Sequence, residues 1–364
     1  MLIIYGKGEA SRFPLYYTEY LNIKTSSMNN IQSNLFYEIK QPLIAACGLG
    51  VDTVAYLVEM KSRNIKPDAI LFADVGVEKD ETYSYLPILQ DWLNKVGFPP
   101  VITVKYVAKD FKNRPPYHTI GEDCLTNGTL PSLAFGFKSC SLKWKVTPQN
   151  KWLEEYIPAI DWWNAGGKVK KIIGYDTSPK DMKRYAVAKE FIDPKYEYWY
   201  PLVEWGMTRN DCKNKIRSEG LPVPPKSACI FCPSTQPEEL LEYKKKYLRY
   251  IVIMEARAEP KLTSILGLWR NGIKGTKNGK PKPGRMTDFI IAEGLLSENE
   301  VNDLRQKAPI EIINNQAKFA DGLEIPDWHD FLELFTEEDA VESIHPCSGC
   351  IANNFPPPFH KSSK

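Results

Sequence analysis

Two segments of this chain are built entirely of apolar residues, Leu43–Cys47 (LIAAC) and Ala69–Ala73 (AILFA), and each is followed by a stretch with helical periodicity. A strand with no polar face must be covered on both sides. Strands of that kind separated by helices lie parallel, because a parallel neighbour needs a crossover connection and the helix supplies it. The helical stretches are Val54–Arg63, with Val54, Leu57, Val58 and Met60 spaced for one face, and Asp80–Val96, with Tyr83, Leu86, Leu89, Trp92 and Leu93 at 3–4 spacing. Val101–Val107 predicts a third strand, Lys168–Gly174 a fourth, and Ser178–Phe191 a helix. Tyr200–Val203 is a short segment ahead of Thr208, which caps a helix through Ser218, and Pro237–Arg257 reads as a charged helix. The expected fold class is α/β: a doubly wound, mainly parallel sheet with a Cys-rich loop and a mainly helical C-terminal extension.

Residues 1–40 are polar and aromatic and read as an N-terminal arm. Residues 41–257 hold the strand–helix alternation, including Cys140 and the Cys229/Cys232 pair. Residues 258–364 read as an extension of short helices, with a basic Gly/Pro loop at Lys274–Arg285, a second CxxC at 347–350 and a disordered tail after Phe355. With 364 residues and 43% hydrophobic content, one large domain plus appendages is affordable. Lys+Arg of 47 against Asp+Glu of 45 is near balance, so net charge alone does not point to nucleic acid. The apolar runs are far shorter than the ~20 residues a bilayer needs. The N-terminus lacks a signal-peptide layout, so a cytoplasmic location is expected.

The turn Cys47-Gly48-Leu49-Gly50-Val51-Asp52-Thr53 stands between the first strand and the first helix. Glycines there let backbone N–H groups approach phosphate oxygens, and the helix N-terminus adds partial positive charge. Thr53 is placed to donate to a phosphate and Asp52 to help hold a magnesium ion. No Gly-Lys-Ser/Thr follows, so this is not a Walker A loop. The plain alternative is an ordinary strand-to-helix turn.

Eight cysteines are present, at 47, 124, 140, 212, 229, 232, 347 and 350. In a reducing compartment they do not staple a fold, and the pairs Cys229/Cys232 and Cys347/Cys350 point to metal or redox chemistry. Cys140, Cys229 and Cys232 bring three thiolates from two segments, enough to hold a soft metal centre. Structural zinc needs four ligands, for which Cys140, Cys212, Cys229 and Cys232 would serve. Buried thiols with no metal are the third reading. Lys143, Lys145, Lys183, Arg184 and Lys226 are candidates to neutralise phosphate or sulfate.

The segment GLGVDT (48–53) resembles the SGGxDS phosphate loop of ATP pyrophosphatases and phosphoadenosine-phosphosulfate (PAPS) reductases, the PP-loop family. It is similar also to the GGGV variant of phage and bacterial PAPS-reductase-like proteins. FADVGVEKDETYSYL (72–86), FKSCSLKWKVTP (137–148), IIGYDTSPKDMKRYA (172–186) and YPLVEWGMTRNDC with GLPVPPKSACIFCP (200–233) resemble further segments in order. The resemblance spans about Pro42 to Arg257. It implies an adenine nucleotide alpha hydrolase-like sheet with Cys47, Gly48, Leu49, Gly50, Val51, Asp52, Thr53, Asp74 and Gly174 around the nucleotide. It gives catalytic roles to Asp52, Lys145 and Arg184. The ligand is ATP, or PAPS or adenylyl sulfate (APS), with Mg2+.

In adenylyl-sulfate reductases and phosphorothioation sulfurtransferases cysteines carry a [4Fe–4S] cluster. By that resemblance Cys140, Cys229 and Cys232 are metal ligands here, the fourth being Cys212, Cys124, a residue of the second CxxC, or none, with Zn2+ the alternative metal. The activity implied is adenylation of an acceptor with pyrophosphate release, leading to sulfur transfer of the DNA-phosphorothioation or nucleoside-thiolation kind. The partners implied are a sulfur donor such as a cysteine desulfurase, a nucleic-acid substrate and a second copy in a homodimer, with no membrane. Two alternatives stay open. One is a sulfonucleotide reductase using Cys347 or Cys350; the other is a non-catalytic nucleotide- or nucleic-acid-binding component of a phage or defence system.

Overall fold

Strands β1 (Leu43–Cys47), β2 (Ala69–Asp74), β3 (Val101–Lys105), β4 (Val169–Ile172) and β5 (Tyr196–Trp199) form one sheet in the computed structural model. The structure describes residues 39–107, 117–272 and 281–308. The chain divides into two compact units, residues 1–40 and 41–364, and all elements named here belong to the second. The arm up to residue 38, most of the basic loop (273–280) and the second CxxC with the tail lie outside the described residues.

Every strand pair is parallel and the order is β3-β2-β1-β4-β5. Ala45 of β1 stands beside Ile70 of β2 and Ile172 of β4. The chain steps outward from β1 to β3 and then returns to the other side of β1 for β4. That reversal opens a crevice at the carboxyl ends of β1 and β4, where doubly wound sheets bind ligands.

The helices are α1 (Val51–Ser62), α2 (Asp80–Lys95), α3 (Ile120–Asn127), α4 (Thr147–Glu155), α5 (Ile157–Asn164), α6 (Pro179–Ala188), α7 (Arg209–Ser218), α8 (Lys245–Ala258), α9 (Met286–Ala292) and α10 (Glu298–Lys307). Side chains alternate across β1. Ala45 and Cys47 point into a core with Val54, Leu57 and Val58 of α1, Leu89 of α2 and Ile216 of α7. Ile44 points to the opposite core, with Leu153 of α4 and Ala159 of α5. Leu57, Val58 and Leu89 are removed from solvent completely, each contributing about 1.5–3 kcal/mol. This is why strands apolar on both faces are stable here.

A third core joins Val75 and Val77, Ile120 and Leu125 of α3, Trp144, Phe231 and α8 to Phe289 of α9 and Leu304 of α10. The chain beyond Arg257 therefore packs, as far as residue 308, into the same body as α3 and α8. Glu255 ties it down. This buried carboxylate accepts from the N–H groups of Leu268, Met286 and Thr287 and from the Thr287 hydroxyl.

The helix expected over Pro237–Arg257 is broken, with one turn at Pro237–Leu240 and α8 beginning at Lys245. Lys244 at the break is extended and bonds Asp80 and Glu81 at the head of α2. β5 had no clear apolar signal: YEYW sits at the sheet edge, with only Tyr196 buried. No helix among the described residues is long and apolar enough to cross a membrane.

Candidate functional site

The residues Gly48-Leu49-Gly50 turn the chain from β1 into α1. Leu49 holds the left-handed backbone region at φ 55° while its side chain is fully buried. The Gly48 N–H donates to Thr53 Oγ1 at 3.1 Å, folding the loop onto the helix it precedes. Gly50 is the N-cap, and no side chain caps the helix. A helix N-terminus without a side-chain cap, at the carboxyl edge of a parallel sheet, presents N–H donors and dipole charge to an anion. Cys47 behind it is buried, and burial pushes its thiol up to about 12, so it stays protonated.

Asp52, on the first turn of α1, faces Asp176 and Asp181, beyond the end of β4. One oxygen from each lies within 4.8 Å of the others. Gly174 makes this approach possible: a Cβ there would stand 3.1 Å from Asp52 Cβ and 3.4 Å from the Tyr56 ring. Asp176 is fully buried, and its Oδ1 accepts from the Ser178 N–H at 2.9 Å. Its Oδ2 has Arg209 Nε at 3.3 Å, close enough for charge attraction but misaligned, so that oxygen has no hydrogen bond. Arg209 Nη1 donates to Asp52 Oδ1 at 2.6 Å, and Arg184 Nη1 to Asp181 Oδ1 at 2.9 Å.

Three carboxylates thus face two guanidinium groups, each nearly half exposed. Burial pushes the Asp52 carboxyl from 3.8 up to about 6. Arg209 pulls it back, and Asp176 and Asp181 push it further up. An orphaned buried carboxylate oxygen among under-neutralised carboxylates fits a hard divalent cation. Magnesium takes one or two carboxylates and completes its shell with water and phosphate oxygens.

The adjoining edge is built on β2. Asp74 is fully engaged: Oδ1 accepts from the Gly76 N–H and the Tyr83 hydroxyl, and Oδ2 pairs with Lys105 at 3.2 Å. Glu78, four residues on, bridges Cys229 in an antiparallel contact and accepts from Lys145 Nζ at 2.8 Å. Burial pulls the Lys145 ammonium down, but the Glu78 carboxylate outweighs it and holds Lys145 above the ordinary lysine value. Lys145 sits in a π-turn, Leu142–Val146. The widened turn sends Lys143 to Asp123 and the Tyr117 hydroxyl, and Lys145 to Glu78. Ser227 joins the two edges, lying against Gly50 with its hydroxyl 3.5 Å from Glu78.

Cys229 and Cys232 form a tight turn with free thiols, and the Cys232 N–H donates to the Cys229 carbonyl. Their electrostatic neighbours are Cys140 and, beyond it, Cys124 of α3. Cys212 is elsewhere: it packs in the α1–α7 core, where its neighbours are Asp52 and Asp176. Cys124 thus neighbours Cys140 in the core shared with Cys229, whereas Cys212 lies in another core. No three of the described thiols bring their sulfurs within 4.8 Å of one another.

Cys47 to Thr53, Asp52 and Gly174 thus meet at one crevice, with Arg184 bonded into its carboxylate group. Lys145 and Cys229 stand on the adjoining edge, linked through Ser227. Lys226 is spent on Glu239. Sequence reasoning missed Asp176, Asp181, Glu78, Ser227 and Arg209. Asp176 had a signal, an acidic residue just past a strand's carboxyl end and two after a glycine. Arg209 had none, because it opens a helix rich in other charges.

The sequence matches no protein-family model and no curated protein. Among solved structures the chain is similar to the phosphoadenylyl-sulfate (PAPS) reductase from Candida auris, crystallised as a phosphate complex. The match has 14% identity, covers 60% of this chain and 92% of that chain, and has a TM-score of 0.33.

Proposed function

We propose that the chain binds ATP with Mg2+ at the Gly48–Thr53 loop and activates an acceptor by adenylation, releasing pyrophosphate, as the first stage of sulfur transfer. One observation carries the reading: an uncapped helix N-terminus, suited to an anion, stands beside three carboxylates suited to a cation. A polyphosphate chelating magnesium satisfies both. A sulfonucleotide without a metal would meet the same three carboxylates as like charges, which disfavours it.

The roles of the residues follow from their geometry. The N–H groups of the first turn of α1 take phosphate oxygens. Asp176, with Asp52 or Asp181, would hold the magnesium, which supplies neutralising charge for the phosphates when bound. Arg209 and Arg184 are the half-exposed cations paired with them, placed to neutralise charge on a leaving pyrophosphate. Lys145 keeps its proton, so it acts as a fixed positive charge rather than a general base. Cys140, Cys229 and Cys232, with Cys124 as fourth thiol, would hold a [4Fe–4S] cluster, which supplies a sulfur-binding metal when present. Such chemistry calls for a sulfur donor such as a cysteine desulfurase.

The test is calorimetric titration of ATP with and without Mg2+, followed by pyrophosphate–ATP exchange assays. Magnesium should tighten ATP binding at least tenfold, and Asp176→Asn should remove that gain. Sulfite release from PAPS without a metal requirement would overturn the reading in favour of a reductase.

A further inference from the structure

Gly174, Tyr175 and Asp176 follow one another just past the carboxyl end of β4. Gly174 admits Asp52, and Asp176 carries the orphaned oxygen, but the chemistry so far leaves Tyr175 unused. The chain turns sharply at this point, with the Tyr175 N–H donating to the Ile173 carbonyl at 3.1 Å. Its ring meets Arg184 of α6, whose guanidinium carbon lies over it, 4.5 Å from the ring centre. The ring is itself held in place. Tyr175 stacks on Tyr200 at 5.6 Å with the planes 28° apart, and Tyr185, the neighbour of Arg184 in α6, meets Tyr200 edge-on at 5.1 Å. Tyr200 directly follows β5. Three rings thus join the loop after β4, helix α6 and the end of β5, and stacked and edge-on contacts of this kind fix ring orientation.

Arg184 needs such a support. Its side chain is 45% exposed, and its ion-pair partner is Asp181, three residues earlier on the same helix. An exposed pair at that spacing favours one arrangement only about twofold. That is too little to fix a side chain with as much rotamer freedom as arginine. A cation over the face of a tyrosine adds up to about fivefold. Nη1, which donates to Asp181 Oδ1 at 2.9 Å, is the one donor of this guanidinium bonded among the described residues. Its other N–H groups remain available, in the fork geometry that suits phosphate oxygens.

We infer that Tyr175 is a positioning residue. Its ring, locked by Tyr200, seats the Arg184 guanidinium beside Asp181 and presents the remaining N–H groups to the terminal phosphates of the bound nucleotide. The π-face does the holding, and the Tyr175 hydroxyl has no part in it. That Arg184 meets a leaving pyrophosphate rests on the adenylation reading; that the ring seats Arg184 does not.

The experiment is calorimetric titration of inorganic pyrophosphate with Mg2+ into the full chain, beside the pyrophosphate–ATP exchange assay on the same preparation. Tyr175→Phe keeps the ring and should bind pyrophosphate within about twofold of wild type. Replacing Tyr175 by trifluorinated phenylalanine keeps the shape but removes the negative face of the ring. Pyrophosphate should then bind about fivefold more weakly, with the melting temperature unchanged. In an Arg184→Met background the same fluorination should change nothing, because the group that the ring holds is gone. Binding indifferent to fluorination, or weakened by it equally with and without Arg184, would make the ring mere packing and overturns the proposal. So does a Tyr175→Phe chain that binds as weakly as the fluorinated one, since the hydroxyl would then be the working group. A wild-type chain that binds Mg–ATP but not pyrophosphate overturns the proposal alone, and one that binds neither overturns the adenylation reading with it. Pyrophosphate binding that responds to fluorination as expected, with no exchange activity, would refute the adenylation reading and leave the role of Tyr175 standing.

Discussion

Replacing Asp52 by Asn converts a partly buried carboxylate into its neutral isostere and isolates the cost of ionising it. In the folded chain Asp52 keeps its proton up to about pH 6, against an ordinary value of 3.8. Between those values the folded state binds the extra proton, so stability falls as pH rises. The stabilising contribution is complete below 3.8 and lost above about 6. That gap corresponds to roughly 3 kcal/mol at pH 7.5 and about 0.6 kcal/mol at pH 4. The side chain is 20% exposed, and Asn surrenders some of the Arg209 attraction. Halving for both leaves about 1.5 kcal/mol at pH 7.5 and a few tenths at pH 4.

Urea unfolding followed by tryptophan fluorescence at the two pH values should therefore show Asp52→Asn more stable than wild type at pH 7.5 and nearly equal at pH 4. Millimolar Mg2+ should then narrow the gap at pH 7.5, because an ion that binds only the folded wild type stabilises it by mass action. A variant less stable at pH 7.5, or a gap that does not change with pH, would refute the account of the carboxylate group.

Arg209→Met removes the guanidinium that stands between Asp52 and Asp176, and Mn2+ titrated by electron paramagnetic resonance should bind about tenfold more tightly, one charge-pair's worth of competition. Gly174→Ala places a methyl 3.1 Å from Asp52 Cβ; it should cost about 1–3 kcal/mol in thermal denaturation and weaken ATP binding in parallel. Lys145→Met strands the buried Glu78 carboxylate. Because Lys145 is 37% exposed, the expected loss is about 2–3 kcal/mol rather than the full 3–5, and adding Glu78→Gln should recover at least half of it. Leu49→Gly relieves about 1 kcal/mol of left-handed backbone strain but empties a fully buried site costing about 2–5 kcal/mol, so the net effect in urea unfolding should be destabilisation by about 2 kcal/mol.

The parallel sheet was legible because its physics is local. LIAAC and AILFA have no polar face to offer solvent, and only a sheet covered on both sides accepts them. The glycine turn into α1 was legible for the same reason, since two glycines at a strand-to-helix junction act through their own backbone. Elements that depend on their neighbours were not legible. β5 is a strand because β4 offers it a free edge, and nothing in YEYW requires it. Lys145 reads as a free cation until Glu78, 67 positions earlier, is folded beneath it. Cys212 and Cys124 are alike in sequence, and only the packing of α7 on α1 and of α3 beside Cys140 sends them to different cores.

The apolar strands and the glycine turn thus determined the sheet and the uncapped N-terminal end of α1. The tertiary structure alone decided which charges surround that end. Asp52, Asp176, Asp181 and Arg209 come from three separate segments, and electrostatic coupling depends on distance in space, which the order of residues does not carry.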